Sequence, residues 1–483
     1  MSAGSKPAFR CRKALAVPGG LISPVLDLAQ FTQIEMSPST DTQRLPPAAD
    51  EPLDIRFSGN LLKGLSRHFA EFGDAFRAYS PVTQRDIYVF SHPDHLKHVL
   101  VTHHQNYTKG IGIDRVGILL GDGLMVSEGE LWRRQRKMIQ PAFHPQVIAG
   151  LAGQMVEATL KLRQKWLASA RQSEPVNLTQ DMSDVTLQII LLAVLGDDLD
   201  RMTQEHGGNP FSLLTDDTER NLAFAYKFRS LSKLIVDCST RRRELNVRRP
   251  DLLSMLIDSR DRASDQPMPG PQVIDEVMTL IVAGHETTAS ALNWMWYLLS
   301  QHPAAAARLE QEVDTLPGDL ADIVELERLP YTRQVIEETL RLYPPGWLLT
   351  RRAIGADTVG GYPLPAGADV FLSPYLVHRH PQFWHEPERF DPERFAPAVH
   401  AQRNRFAFLP FSLGQRACIG EHFAMVEMLL HTALLAREVH LEWVPQQPIE
   451  LESRVNLRTR HSLMMMPVAR HADGRPEATR PPE

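Results

Sequence analysis

Phe411-Ser412-Leu413-Gly414-Gln415-Arg416-Ala417-Cys418-Ile419-Gly420 runs straight into 420–438, an apolar stretch with helical patterning. Cys418 therefore sits on a glycine-bounded loop at a helix N-terminus. There, amide N–H groups and the helix dipole favour a thiolate over a thiol. Gly414 and Gly420 would let the backbone come close to a flat ligand. Arg416 is placed to pair with an anionic group. A bare Cys-x-Gly would suit a structural cysteine beside a tight turn just as well, so the weight falls on the rest of the chain.

Outward from this loop the patterning is mostly helical. Upstream, 271–301 reads as one long helix, over about 40 Å at 1.5 Å per residue, ended by Pro303. Helical segments at 303–315 and 328–343 follow, and beyond Pro344 the chain turns strand- and loop-like to Phe411. Leu61, Leu62, Leu65, Phe69 and Phe72 recur at helical spacing, and FRAYSP and DIYVFS read as two strands joined by a turn. The stretch 109–125 is Gly-rich and irregular, and 129–165 is helical with interruptions at Pro141 and Pro145. MSDVTLQIILLAVLG is a buried helix ending at Gly196, 202–232 is a mobile helix–loop–helix, and 439–469 alternates like strands. There is no internal repeat. The expected fold class is mainly α with small β-sheets.

Composition narrows the function. The 483 residues are 43% hydrophobic and 23% charged, with a net charge of 52 − 58 = −6, so nothing overall points to nucleic acid. The three cysteines, Cys11, Cys238 and Cys418, exclude a disulfide framework, a four-cysteine zinc site and an all-cysteine iron–sulfur cluster. They suit a reducing, cytoplasmic compartment. No membrane span is expected, for want of a long apolar run. Pro18, Gly19, Gly20 and Pro24 make the N-terminus a poor signal peptide, and Met36 offers a second plausible start.

Three further constellations carry chemistry. Ala283-Gly284-His285-Glu286-Thr287-Thr288 lies mid-way along the long helix. An acid beside a hydroxyl, after a small residue, suits a helix that opens over a ligand: the hydroxyl holds a small guest and the acid feeds protons. Thr287 could instead back-bond to a helix carbonyl. His285-Glu286 begins like the zinc signature H-E-x-x-H, but position 289 is Ala. Trp132 and Arg136, at i and i+4, share a helix face and offer an aromatic donor and a guanidinium to an anion. Glu338 and Arg341 form an i,i+3 pair, weak alone, followed later by Trp384 and the Pro-Glu-Arg-Phe runs that contain Arg389 and Arg394.

Together these motifs, in this order and spacing over 55–469, resemble the cytochrome P450 family of haem-thiolate monooxygenases, as a soluble bacterial-type member. The resemblance implies a single P450-type fold, with haem b between the long oxygen-binding helix and the cysteine-loop helix. It makes Cys418 the axial ligand of the haem iron, where a thiolate favours O–O cleavage, with Phe411 over the sulfur and Gly420 beside it. It gives Arg416, Trp132, Arg136 and Arg352 to the haem propionates, and Glu286 and Thr287 to oxygen activation. It joins Glu338, Arg341 and Arg394 in a buried structural network, Arg389 being the weaker candidate for the last place.

The same resemblance places the substrate pocket at 105–125, 205–230, 277–283, 345–349 and 456–462. Leu280, Ala283, Gly284, Trp347, Leu348 and Leu349 are its expected walls, and Ile281 is a further apolar candidate. Such walls imply a hydrophobic guest, a fatty acid, terpenoid or similar. Dioxygen is the co-substrate. With no flavin or ferredoxin domain in the chain, NAD(P)H acts only indirectly, through a separate ferredoxin- or flavodoxin-type donor. Arg133, Arg134, Lys137, Arg403 and Arg405 would offer that donor a basic face. A monomer is expected, with a flexible arm at 1–54 and a disordered tail at 470–483. Two rival readings are an oxygen-independent haem-thiolate enzyme (peroxygenase, isomerase or dehydratase) and a non-catalytic haem sensor. His378, His380 and His385 are read as incidental loop histidines.

Overall fold

Gly270–Gln301 is one uninterrupted α-helix of 32 residues, about 48 Å long. Pro271 lies in its first turn, where a missing N–H costs nothing. The helix packs most extensively on Leu178–Leu195, which is apolar on nearly every side and is stopped by Gly196 at φ 55°. By length and composition Leu178–Leu195 could cross a membrane (mean hydropathy 1.3), but 67% of it is buried inside the protein, as in a core helix. Gly284 permits the close approach of the two helices: a Cβ there would stand 3.0 Å from Ile190 Cδ1.

The computed structural model describes residues 45–56, 60–216, 222–316 and 323–470. The readings made for 1–44 and 471–483, including Cys11 and the second start, lie outside the described residues. So do the readings for 217–221. The expected boundary at 55 is too late. Ala48–Ala49 already pair in parallel with Arg77 and Ala78, and Leu53 and Ile55 are buried. At the other end Arg470, one residue past the expected boundary, donates to the Asp314 carboxylate.

Among the described residues helices dominate. Pro145–Gln172 and the helix after the cysteine loop, Glu421–Ala436, pack on one another and join the largest core. A six-stranded sheet forms a second layer, in the order Ala48–Ala49, Ala75–Ser80, Arg85–Phe90, Asp369–Leu372, Leu349–Ala353, Tyr107–Lys109. In its last antiparallel pair Lys109 stands opposite Arg351 and Thr108 opposite Arg352. Residues directly opposite share a face, so Lys109 and Arg351 point one way and Arg352 the other.

One segment read as irregular is ordered. Within 109–125, Ile113–Leu120 is a helix set between Gly112 (φ 97°) and Gly121 (φ 57°), conformations that glycine alone adopts freely. The region 202–232 takes in the end of the helix Asp198–His206 and the start of Leu222–Glu244, with short turns at Pro210–Ser212 and Leu213–Asp216.

Candidate active site

The cysteine loop closes on itself. The Cys418 N–H donates to the Phe411 carbonyl at 2.8 Å, and the Ala417 N–H to Gly414 at 3.1 Å. Gly414 is the glycine the loop needs. It has φ 71°, and a Cβ would lie 2.2 Å from the Leu100 carbonyl oxygen, a backbone atom that cannot rotate aside. Gly420 is less constrained, with φ −90° and nothing nearer to its would-be Cβ than Phe143 Cε1 at 3.8 Å and Cys418 Sγ at 3.9 Å. Burial pushes the Cys418 thiol up, while the amides of Gly420 and Glu421 and the Arg136 guanidinium pull it down and Glu421 opposes them. The amides at the helix start favour the thiolate as expected, but desolvation outweighs them while no metal is bound. A coordinated metal ion would deprotonate the sulfur outright.

The sulfur is surrounded by protein yet its surface is open, so it faces an internal space rather than packed side chains. The long helix shows the same signature. Between fully buried Ile281 and Thr288, residues Val282, Ala283, Gly284, Glu286 and Thr287 are only partly covered. At the edge of the core Met125, Val126, Phe143, Phe411 and Ile419 are likewise partly open.

On the rim stands a cluster of cations. Arg416 pairs with Glu128, donates to the Ser127 carbonyl at 3.1 Å and lies 3.8 Å over the Trp132 ring. Arg136 donates to the Ala417 carbonyl at 2.9 Å. Lys109 Nζ donates to the carbonyls of Leu124 (3.1 Å) and Ser127 (2.9 Å), and burial, then Arg416, pull its pKa down to about 7. Burial and then Arg416 bring Arg351 down to about 10. For both, burial and a neighbouring guanidinium outweigh the nearby Glu128 carboxylate.

Arg352 is not among them, which corrects its assignment to an anion inside the site. It lies on the opposite strand face, 47% exposed, 2.7 Å from Asp369. Arg351, one residue earlier, takes the inward position. Alternation along a strand allows only one of the two to face in.

Glu286 and Thr287 sit on unbroken helix, so the opening is one of packing and not of backbone. Thr287 Oγ1 donates to the Ala283 carbonyl at 2.8 Å, a back-bond that leaves the helix regular. Asn456 Nδ2 donates to Glu286 Oε2 at 3.0 Å, and Ser290 Oγ to the Leu457 carbonyl at 2.6 Å, so the turn near 456 is tied to this helix. His285 points away, with Nε2 2.9 Å from Ser183 Oγ.

The Glu338 and Arg341 side chains are fully buried. Arg341 Nε and Nη2 meet the two carboxylate oxygens at 2.6 and 2.8 Å, and its remaining donors reach the carbonyls of His378, Pro387 and Arg389. Arg394 Nε lies 3.4 Å from Glu338, whereas the Arg389 side chain is exposed and meets Glu386. His378 Nε2 accepts from the Leu409 N–H at 2.9 Å, which links this network to the segment before the cysteine. Arg403 is also engaged here, stacked on Trp384 and Phe395, and is not a free surface charge.

Among the expected pocket walls, Ala283, Gly284, Leu348 and Leu349 are partly open. Leu280 and Trp347 are not: each is packed in a core, and the Trp347 indole N–H is spent on the Arg454 carbonyl at 2.9 Å. Sequence reasoning missed Arg351 and Glu128, and it reached Lys109 and Asn456 only as members of the expected pocket segments 105–125 and 456–462. Only the fold brings them to the site, although the Arg351-Arg352 doublet did signal a choice.

An apolar space, a thiol opening onto it and a rim of under-paired cations fit haem: a flat apolar macrocycle, an iron seeking one sulfur, and two propionates. Cys418 would ligate the iron, and Arg416, Arg136, Lys109, Arg351 and Trp132 would hold the carboxylates. Fold and site together define a haem-thiolate monooxygenase. The chain belongs to the cytochrome P450 family, whose model matches residues 52–466. It is 32% identical over 437 residues to protein LUTEIN DEFICIENT 5, chloroplastic, of Arabidopsis thaliana, covering 82% of this chain and 72% of that protein. It is 32% identical over 404 residues to cyclooctatin synthase of Streptomyces melanosporofaciens (80% and 87%). It is 28% identical over 486 residues to carotene epsilon-monooxygenase, chloroplastic, of Arabidopsis thaliana (91% and 88%). Relatives thus come from plant chloroplasts as well as bacteria, and the family likeness is not specifically bacterial.

Proposed function

We propose that this enzyme hydroxylates or epoxidises a large, hydrocarbon-rich substrate of terpenoid type, drawing electrons from a separate ferredoxin- or flavodoxin-type donor in the cytoplasm. The observation that carries the substrate class is the open stretch of the long helix. Val282, Ala283 and Gly284 offer a guest only apolar surface, and Leu348 and Leu349 are likewise apolar and partly open. Such a wall rewards burial of hydrocarbon at about 25 cal/mol per Å². The name of one relative, carotene epsilon-monooxygenase, points to a substrate of the same kind.

Haem, when bound, supplies reductive activation of dioxygen. The chain's own groups supply position and protons. Thr287, its hydrogen directed at Ala283, presents an oxygen that can accept from a guest and can donate once it rotates. Glu286, steadied by Asn456, is the acid beside it. The test is a titration of the haem protein with carotenoid, cyclic terpenoid and fatty-acid panels, read by haem spin state and then by product analysis. Terpenoids should shift the spin state and yield mono-oxygenated products. A response confined to fatty acids would overturn the reading.

A further inference from the structure

We propose that His98, His103 and Asp357 form a binding site for one divalent transition-metal ion of the zinc class, independent of the haem chemistry. The local backbone builds it. His98–Thr102 is a single π-helical turn, closed by the His103 N–H donating to the His98 carbonyl at 2.8 Å, an i→i+5 bond. In an α-helix residue 98 would lie beneath 101 and 102. The extra residue of the π-turn carries His103 back over His98, with the ring centroids 3.9 Å apart.

Asp357 arrives from a distant strand, Asp357–Val359. Its Oδ2 lies 2.9 Å from His98 Nε2 and its Oδ1 3.3 Å from His103 Nδ1, and the three donor atoms all fall within 4.8 Å of one another. Zinc bound at about 2.0–2.2 Å in a tetrahedron spaces its ligand atoms roughly 3.3–3.5 Å apart. Each imidazole already stands near that distance from one carboxylate oxygen, His98 from Oδ2 and His103 from Oδ1, and rotation of the half-exposed His103 would bring both rings onto a single ion.

The carboxylate is held in place without help from the imidazoles. Tyr107 O–H donates to Asp357 Oδ2 at 2.8 Å, and the Thr358 N–H to Oδ1 at 2.7 Å. Asn106 clamps the preceding loop, accepting from the Gly355 N–H at 2.8 Å and donating to its carbonyl at 3.2 Å. Outer hydrogen bonds of this kind orient metal ligands. Side-chain exposure rises from 10% at Asp357 through 22% at His98 to 51% at His103, so the fourth position is open to water. Two imidazoles converging on one carboxylate repel if both are charged, whereas a metal ion takes both in their neutral form. The π-turn is also the support on which the cysteine loop rests, through Leu100 beneath Gly414. An ion there would brace that wall.

The experiment titrates the untagged, chelator-stripped haem protein with zinc chloride by calorimetry, and follows thermal unfolding with and without zinc. Wild type should take up one zinc ion per chain at this site and unfold at a higher temperature when loaded. His98→Ala and His103→Ala should each weaken uptake at least tenfold, and the double variant should lose both the uptake and the thermal shift. His385→Ala, which removes an exposed histidine elsewhere, should behave as wild type. Haem absorbance of all variants shows that they are folded. Wild type without uptake, or a double variant that binds and shifts like wild type, would overturn the proposal.

Discussion

Exchanging Arg351 for methionine should separate haem retention from fold stability. Arg351 is half-buried, makes a hydrogen bond to the Thr350 carbonyl at 2.8 Å, and is held below its ordinary pKa by burial and by Arg416. In the haem-free chain, Arg351→Met removes a desolvated cation and keeps most of the packing. Stability should hold or rise by about 1 kcal/mol. With haem, the same change deletes a charge-assisted hydrogen bond to a propionate, worth about 1.5–3 kcal/mol, so the dissociation constant should rise roughly 10- to 150-fold. Arg352→Met should do the reverse. It strips the partner from Asp369, whose side chain is 1% exposed, which costs about 1–3 kcal/mol of stability and leaves haem affinity alone. The assays are haem transfer to an excess of a scavenging apoprotein and urea unfolding of the haem-free chain. Faster haem loss from Arg352→Met than from Arg351→Met would refute the assignment of the inward cation.

Arg341→Lys should cost about 3–5 kcal/mol, because an ammonium cannot span both Glu338 oxygens and three carbonyls; soluble yield and urea midpoints check this. Gly414→Ala should lower haem incorporation severalfold at equal expression, since its Cβ would strike the Leu100 carbonyl; the haem-to-protein absorbance ratio reads it. Burial brings His378 and His431 each to about 3. The unfolded chain takes up those protons first as pH falls below about 6.5, so each histidine removes about 1.4 kcal/mol of stability per pH unit between about 6.5 and 3. Above that window neither contributes a slope. A His431→Phe variant should show a flatter acid limb in urea titrations.

Much of this was legible before any coordinates. The long helix is bounded by prolines, the core helix ends at a glycine, and the cysteine loop carries its chemistry in ten consecutive residues, all of them local signals. What was not legible depended on register and packing. Whether Arg351 or Arg352 faces inward follows from the pairing of Lys109 with Arg351, a ladder between strands far apart in sequence. Trp347 reads as a pocket wall by composition but is drawn into the core by the Arg454 carbonyl. Gly284 reads as an opening for a ligand, yet its missing Cβ is also what lets Ile190 approach. The sequence shows the helix N-terminus that favours a thiolate at Cys418 but not the burial that opposes it.

The central claim is that Cys418 ligates the haem iron as a thiolate. The most direct test is the absorption spectrum of the reduced, carbon monoxide-saturated protein, compared with that of Cys418→His. The wild type should show the red-shifted band of a thiolate-ligated haem, and Cys418→His should bind haem, if at all, without it. A wild-type band at the position given by a neutral nitrogen ligand, or a red-shifted band that survives in Cys418→His, would contradict the account.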